Sequence, residues 1–432
     1  MAVALVSDVI GAFRSGPPGF AEAYPLLFSL AEERPGEVPV LASQVMEELP
    51  AGSALIRAVL PWLDEDDLAA LTDQAVAALG RPGRPRDAAA AVVDGVSLQL
   101  PSALTGHLPQ LWELDEGAYF YSHLGSEAWW SGADLAEIRR LAGILADGSE
   151  DERFAAWECL LQTRTAEGWA AAWEHRDAAA ALSPAVGEIF WQSVGVDPSP
   201  PGADASLSPP LRPLVTAPAY HLRFPPGALA PRHQPWRARW HPTWGLSGSP
   251  TLEQVRVVTG GLSEGECPDG HGPLRRLLLL DPPPPGCAAH GQARLDIGYC
   301  FGCDDGFDPA YYSHDADGRP RRIGQDMTGR QWSPNPFDTD DIRPTITVPV
   351  IHPLPRWQRQ NVDLDHGREN LNRIGGEPTW IQEPSYPACP SCQAVMPFLA
   401  QLDWGHLIDG EGITYVFWCR PCAVSAIAFQ CT

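Results

Sequence analysis

The first 193 residues carry a helical rhythm. Apolar residues recur three and four positions apart in Val3 to Phe13, Val38 to Leu49, Leu55 to Leu63 and Leu68 to Leu79, with short polar breaks between. Asp64-Glu-Asp-Asp67 opens the fourth of these, placing acids at the positive end of a helix. Ser131-Gly-Ala-Asp134 predicts the start of a helix running through Leu145, and Ser149-Glu-Asp-Glu152 reads as a capping box for the helix bearing Trp157 and Leu161. Residues 1–193 are therefore expected to form an acidic, all-α bundle or short helical array. From Asp197 to Pro218 the pattern breaks into Pro, Ser, Ala and Gly, so 194–218 reads as an extended linker. After it the period shortens. Runs favouring strands, His221 to Phe224, Val255 to Val258, Leu274 to Leu280, Ile346 to Ile351, Phe398 to Leu402 and Ile413 to Trp418, alternate with Pro, Gly and Asp turns. His314-Asp-Ala-Asp-Gly318 reads as a hairpin turn following Tyr311 and Tyr312. The fold class is α+β, with a helical domain (1–193), a linker (194–218) and a β-rich domain (219–432).

Charge is unevenly spread. Residues 1–190 hold 29 acids and 11 arginines, a net of −18 within a total of −24. Such a field repels nucleic acid and anionic membranes and attracts basic protein surfaces, so the expected partner is a protein, with no nucleic acid and no membrane. All 30 basic residues are arginine, which removes Schiff-base, lysine-base and P-loop lysine chemistry. Met1 to Phe13 lacks a basic segment before its apolar run, and the longest aliphatic run, Ala88 to Val93, is far short of a membrane span. A cytoplasmic protein with reduced thiols is expected, where Cys-x-x-Cys pairs bind metal. The acidic clusters read either as solvated helix faces or as a docking surface. Tyr119, Tyr121, Trp129 and Trp130 read as core rather than as a binding patch.

The chemistry concentrates at the end. Cys389-Pro-Ser-Cys392 and Cys419-Arg-Pro-Cys422 are separated by 26 residues, which suits a structural zinc site of four thiolates from two knuckles. An earlier stretch repeats this plan. Cys267-Pro-Asp-Gly270, the run Leu274 to Leu280 and Asp281 match Cys389-Pro-Ser-Cys392, Met396 to Leu402 and Asp403, the first cysteine preceding the aspartate by 14 residues in both. Cys300 and Cys303 match Cys419 and Cys422, and Pro242-Thr-Trp244 is set against Pro378-Thr-Trp380. These landmarks imply duplication, repeat one spanning about 219–345 and repeat two about 346–432. Gly270 stands where Cys392 would, so a second zinc on Cys267, Cys300 and Cys303 needs a fourth ligand: His271 first, with Cys287 or His290 as substitutes.

Arg373-Ile-Gly-Gly-Glu-Pro-Thr-Trp-Ile-Gln382, the Cys-x-x-Cys, Phe398 to Asp403 and Tyr415-Val-Phe-Trp-Cys-Arg-Pro-Cys422 resemble the bacterial YwqG-like family, a domain of unknown function. More distantly they resemble the C-terminal part of the programmed-cell-death-protein-2 family. The resemblance covers roughly 370–425 well, 220–369 loosely and the helical half not at all. It implies an internally twofold β domain that depends on zinc. Eukaryotic relatives act as chaperones or adaptors for a ribosomal protein, and some bacterial ones lie near toxin and immunity loci.

Enzymatic readings are weaker. Trp418-Cys-Arg-Pro-Cys422 resembles a thioredoxin motif, but only ten residues follow it. Gly261-Leu-Ser-Glu-Gly265 fits a nucleophile pattern, but Glu266-Cys-Pro268 stands where a helix must open. His352, His366 and His406 lack catalytic zinc spacing, and the Asp-rich turns Cys303 to Gly306 and Val362 to Asp365 lack the glycine and glutamate of a calcium loop. Gly375-Gly376 reads as a tight turn more simply than as an anion cradle. The function expected is a non-enzymatic, zinc-stabilised interaction module, chaperone-like, adaptor-like or of an immunity type, that grips a basic client. The alternative is a small-molecule binder or hydrolase with a pocket between the β repeats.

Overall fold

The computed structural model describes residues 4–15, 17–49, 52–81, 87–114, 126–177, 179, 187–198, 211–215, 217–225, 228, 241–245, 249–287, 293–303, 308–323, 345–361, 369–404 and 412–431. They fall into two compact units, one of residues 1–190 together with Asn361 and one drawn from 191–360 and 369–432.

The first unit is helical: α1 (Val6–Arg14), α2 (Pro17–Glu33), α3 (Val38–Glu48), α4 (Ser53–Val59), α5 (Glu65–Leu79), α6 (Asp87–Gln99), α7 (Leu108–Leu114), α8 (Leu135–Asp147), α9 (Glu150–Gln162) and α10 (Ala166–Glu174), with α11 (Gly187–Ser193) crossing into the second unit. Side-chain caps set several starts. Asp64 accepts from the Asp67 amide, Asp134 from the Glu137 amide, and Ser149 with Glu152 closes a reciprocal box. Trp129 and Trp130 are buried, their indole N–H groups donating to Asp94 at 2.8 Å and Glu137 at 3.2 Å, so they are core. Tyr119 and Tyr121 lie outside the described residues. No helix among the described residues is long and apolar enough to cross a membrane.

The second unit holds three antiparallel sheets. Its strands are β1 (Val196–Asp197), β2 (Arg212–Pro213), β3 (Tyr220–His221), β4 (Val257–Thr259), β5 (Leu262–Glu266), β6 (Pro273–Leu280), β7 (Leu295–Tyr299), β8 (Ala310–His314), β9 (Pro320–Ile323), β10 (Ile346–Val348), β11 (Arg373–Ile374), β12 (Phe398–Asp403), β13 (Ile413–Cys419) and β14 (Val424–Gln430). The small sheet pairs β1 with β2, so the two ends of the Pro-rich segment are folded against each other rather than extended. Arg212 fastens them, donating to Asp197 at 2.7 Å and to the Val395 carbonyl.

The two larger sheets follow one plan. In one, β6 pairs with β7 (Leu280 opposite Leu295, Leu278 opposite Ile297) and slips register between Arg276 and Leu278. In the other, β12 pairs with β13 (Leu402 opposite Thr414, Ala400 opposite Val416) and slips between Phe398 and Ala400. Counting from the first cysteine of each copy, the two irregularities fall at the same place. β4 leads into Gly260-Gly261 and β11 into Gly375-Gly376, all four with φ between 70° and 75°, a left-handed backbone that favours glycine. Pro242-Thr-Trp244 is not part of this correspondence. It precedes β4, whereas Pro378-Thr-Trp380 follows β11, so that pairing of landmarks is corrected.

The repeats are also not separate sheets. β3, from the start of repeat one, pairs with β11 of repeat two, while β10, from the start of repeat two, pairs with β4 of repeat one. The exchanged segments cross each other, the Arg223 amide donating to the Pro349 carbonyl at 2.9 Å and Leu222 bridging Val350. β8 and β9, chemically part of repeat one, extend the second sheet beyond β14. One core unites both, from Leu278 and Ile297 to Val416 and Ile427.

On its other face the second sheet is covered by the stretch after β11. Gln401 accepts from the Thr379 amide, the Tyr415 hydroxyl donates to the Thr379 carbonyl, and Gln430 accepts from the amides of Ile381 and Gln382. Trp380 and Tyr386 pack there against Tyr415 and Phe417. These side chains satisfy the backbone groups of a partly buried irregular segment, which sheet hydrogen bonds do not reach.

Two buried histidines give this unit an acid limit. On β3, His221 is pushed down to about 3, chiefly by burial and then by neighbouring Arg373; on β8, His314 is pushed down to about 4, chiefly by burial. Both are neutral in the fold, while in the unfolded chain they titrate near 6.5. Their stability contribution is therefore full above about pH 6.5 and is lost progressively as pH falls towards 3 to 4. Denaturant titrations between pH 7 and 5 should give a slope that the His314→Gln variant reduces by about one proton; an unchanged slope would show that His314 is not buried neutral.

Candidate metal centres

Among the described residues two groups of four potential ligands form, both in the second unit. Cys389, Cys392, Cys419 and Cys422 make the late group; Cys267, His271, Cys300 and Cys303 make the early one. Within each, the ligand atoms all lie within 4.8 Å of one another.

Each group is built from two turns at strand ends. In the late group, the turn before β12 is closed by the Cys389 amide donating to the Ala394 carbonyl at 2.8 Å, and the hairpin between β13 and β14 carries Cys419 and Cys422. The residues just after the second cysteine of each pair, Gln393 and Ala423, have φ of 61° and 50°. This left-handed step turns the chain back so that both sulfurs of a pair face inward. In the early group the Cys267 amide donates to the Gly272 carbonyl at 2.9 Å, the same closure at the same spacing. Here Gly270 takes the left-handed conformation (φ 83°), and the next residue, His271, supplies the ligand atom. Cys300 and Cys303 end a turn after β7, the Cys303 amide donating to the Cys300 carbonyl at 3.2 Å.

The distances suit a tetrahedral centre. Metal–sulfur bonds near 2.3 Å put sulfurs about 3.8 Å apart and an imidazole nitrogen about 3.5 Å from each sulfur. Cys392 and Cys419 Sγ are 3.7 Å apart; His271 Nδ1 lies 3.6 Å from Cys267 Sγ, 3.6 Å from Cys300 Sγ and 3.1 Å from Cys303 Sγ. Burial raises the pKa of the Cys300, Cys303 and Cys419 thiols. Cys392, exposed, is lowered, first by a backbone bond from Ala394. Buried thiolates brought this close repel one another, and a cation at the centre reverses that balance by holding all of them deprotonated.

Around the early group the structure adds residues to which sequence reasoning gave no role. Asp269 Oδ2 lies 3.3 Å from Cys303 Sγ and accepts from Arg322 Nη1 at 3.0 Å, while Arg322 Nη2 donates to the Cys303 carbonyl. The Cys300 amide donates to the Tyr312 hydroxyl at 2.9 Å. Asp269 had a local signal, its place between Cys267 and His271; Arg322 and Tyr312 had none, because only the tertiary fold brings them there. Cys287 is buried in the core apart from the group, burial pushing its thiol up to about 12. His290, His366 and His406 lie outside the described residues, as do the acids of the turns after Cys303 and Val362. His352 is exposed and in neither group.

Among the described residues, the serine-nucleophile and anion-cradle readings find no supporting geometry. Ser263 of the Gly-x-Ser-x-Gly stretch sits buried on β5, donating to Asp296 at 3.0 Å, with no helix after it. The Gly375 and Gly376 amides are taken by the Leu399 and Ala217 carbonyls, leaving no cradle for an anion.

Fold and ligand sets together define a two-unit α+β protein with two four-ligand, cysteine-rich groups consistent with structural metal. Over 189 residues, 42% of this chain, it is 29% identical to the uncharacterized protein YpfL of Salmonella typhimurium, of whose length it spans 42%. No family model and no solved structure matches the chain.

The left-handed residues make a direct test. Ala423 pays a steric penalty of about 1 kcal/mol that glycine avoids. The Ala423→Gly variant should raise the denaturant midpoint at equal metal loading; a lowered midpoint would contradict the left-handed assignment.

Proposed function

We propose that the chain is a zinc-stabilised, non-enzymatic protein-interaction module whose second unit is held by two structural zinc ions and whose acidic first unit receives a basic protein client. The observation that carries this reading is closure. Each group already supplies four protein ligands at tetrahedral spacing, so neither leaves a position for water or substrate, as a catalytic zinc requires. Sulfur ligands with one imidazole favour zinc over magnesium or calcium, and the mixed early set favours it over an iron–sulfur cluster. The surplus of acids in residues 1–190 supports a client of opposite charge. Kinship with the YwqG-like family belongs to this proposal, supported by Arg373 to Gln382 forming β11, its glycine pair and the covering segment of the second sheet.

Metal analysis of protein purified without added metal should give two zinc ions per chain. Since thiolate zinc sites contribute on the order of 10 kcal/mol to folding, a strong chelator should collapse the tryptophan signal of the second unit. Iron in place of zinc, or unchanged fluorescence after complete metal removal, would reject structural zinc.

Client binding has a separate test. Native mass spectrometry of protein captured gently from its host should contain a stoichiometric basic protein that dissociates as salt rises. Loaded protein that is consistently partner-free would count against the interaction reading.

A further inference from the structure

The hairpin of β8 and β9 touches both metal groups. Towards the early one, the Tyr312 hydroxyl accepts the Cys300 amide at 2.9 Å, and Arg322 holds the Cys303 carbonyl and the Asp269 carboxylate. Towards the late one, the His314 amide donates at 2.9 Å to the carbonyl of Ala423, the residue after Cys422, and Val424, Ser425 and Ala426 pair with Ser313, Tyr312 and Tyr311. Tyr312 and Tyr311 are consecutive, so they project from opposite faces of the strand.

We propose that this hairpin couples the two centres, so that a metal ion in either one raises the affinity of the other. The proposal rests on the metal reading above. Without a cation, the Cys300–Cys303 turn loses the constraint that fixes the Cys300 amide and Cys303 carbonyl, and the hairpin loses its anchors on that side. β8 then holds β14 less firmly where β14 leaves the Cys419–Cys422 turn. Ordering that turn costs more entropy, and the late centre binds more weakly. Linkage makes the effect reciprocal.

The test is a cobalt(II) titration of the metal-free, full-length protein, because the visible absorption of thiolate-bound cobalt distinguishes a four-cysteine site from one with three cysteines and a histidine. In the wild type the two spectra should grow together. In the His271→Ala variant, with the early centre crippled, the late centre should bind about ten-fold more weakly, within the roughly 5- to 150-fold range of such couplings. The double variant Tyr312→Phe with Arg322→Gln keeps all eight ligands, and there the two spectra should separate into independent steps. Late-site affinity in His271→Ala within about two-fold of wild type would overturn the coupling. Undiminished cooperativity in the double variant would overturn the hairpin as its carrier. If no thiolate–cobalt absorption develops at all, the metal reading itself fails.

Discussion

Sulfur atoms gathered within 4.8 Å of one another are the constraint on which the second unit turns. As thiols they are small apolar groups with little reason to converge; as thiolates they repel. A central cation would make their convergence favourable. A metal ion in each group would tie strand ends together. The late one would fasten the turn entering β12 to the hairpin between β13 and β14, and the early one would fasten the turn entering β6 to the end of β7. The early cysteines also belong to the shared core, beside Leu274 and Tyr299, so a metal ion held there would stabilise the same contacts as apolar burial.

Exchange of the leading strands makes the two halves interdependent. β3 and β10 each complete the sheet of the other repeat, and they meet where Arg223 pairs with Pro349. Counted along their strands these two residues occupy equivalent places, which puts the local twofold relation at their contact. A repeat cut out at residue 345 would take with it β3, β8 and β9, which pair in the second sheet, and leave behind β10, which pairs in the first. Neither half would hold its own complete sheet. The two halves thus match in ligand order and in strand plan, and each completes the sheet of the other.

Legibility in the sequence followed the range of the interaction. Helix starts were readable at Asp64, Asp134 and Ser149 because a cap needs only a side chain and an amide three residues on. The strands Leu274 to Leu280 and Ile413 to Trp418 were readable because each contains an unbroken run of buried apolar residues, Leu277 to Leu280 and Tyr415 to Trp418. β14 was not: Val424-Ser-Ala-Ile-Ala-Phe-Gln430 is too rich in small residues to announce a strand, and its partners on both sides dictate it. The ligand residues His271 and Cys389 were visible from spacing. Arg322, Tyr312 and the strand exchange were not, because each depends on contacts between residues far apart in the chain. The Pro-Thr-Trp match misled because three residues recur easily, and only strand register distinguishes recurrence from equivalence.

The first turns of the two groups differ in where the backbone is left-handed: at Gln393 in the late one, at Gly270 and Gly272, on either side of His271, in the early one. Both first turns close with the same hydrogen bond, from the cysteine amide to the carbonyl five residues on. In the late turn the third residue after that cysteine is the ligand Cys392, and the fourth, Gln393, carries the left-handed step. In the early turn Gly270 takes the step at the third position, and the fourth, His271, carries the ligand. Between these two left-handed glycines, His271 places its Nδ1 3.6 Å from Cys267 Sγ, 3.6 Å from Cys300 Sγ and 3.1 Å from Cys303 Sγ. Glycine at 270 is therefore not the mark of a lost ligand. It is the backbone condition under which histidine can replace one.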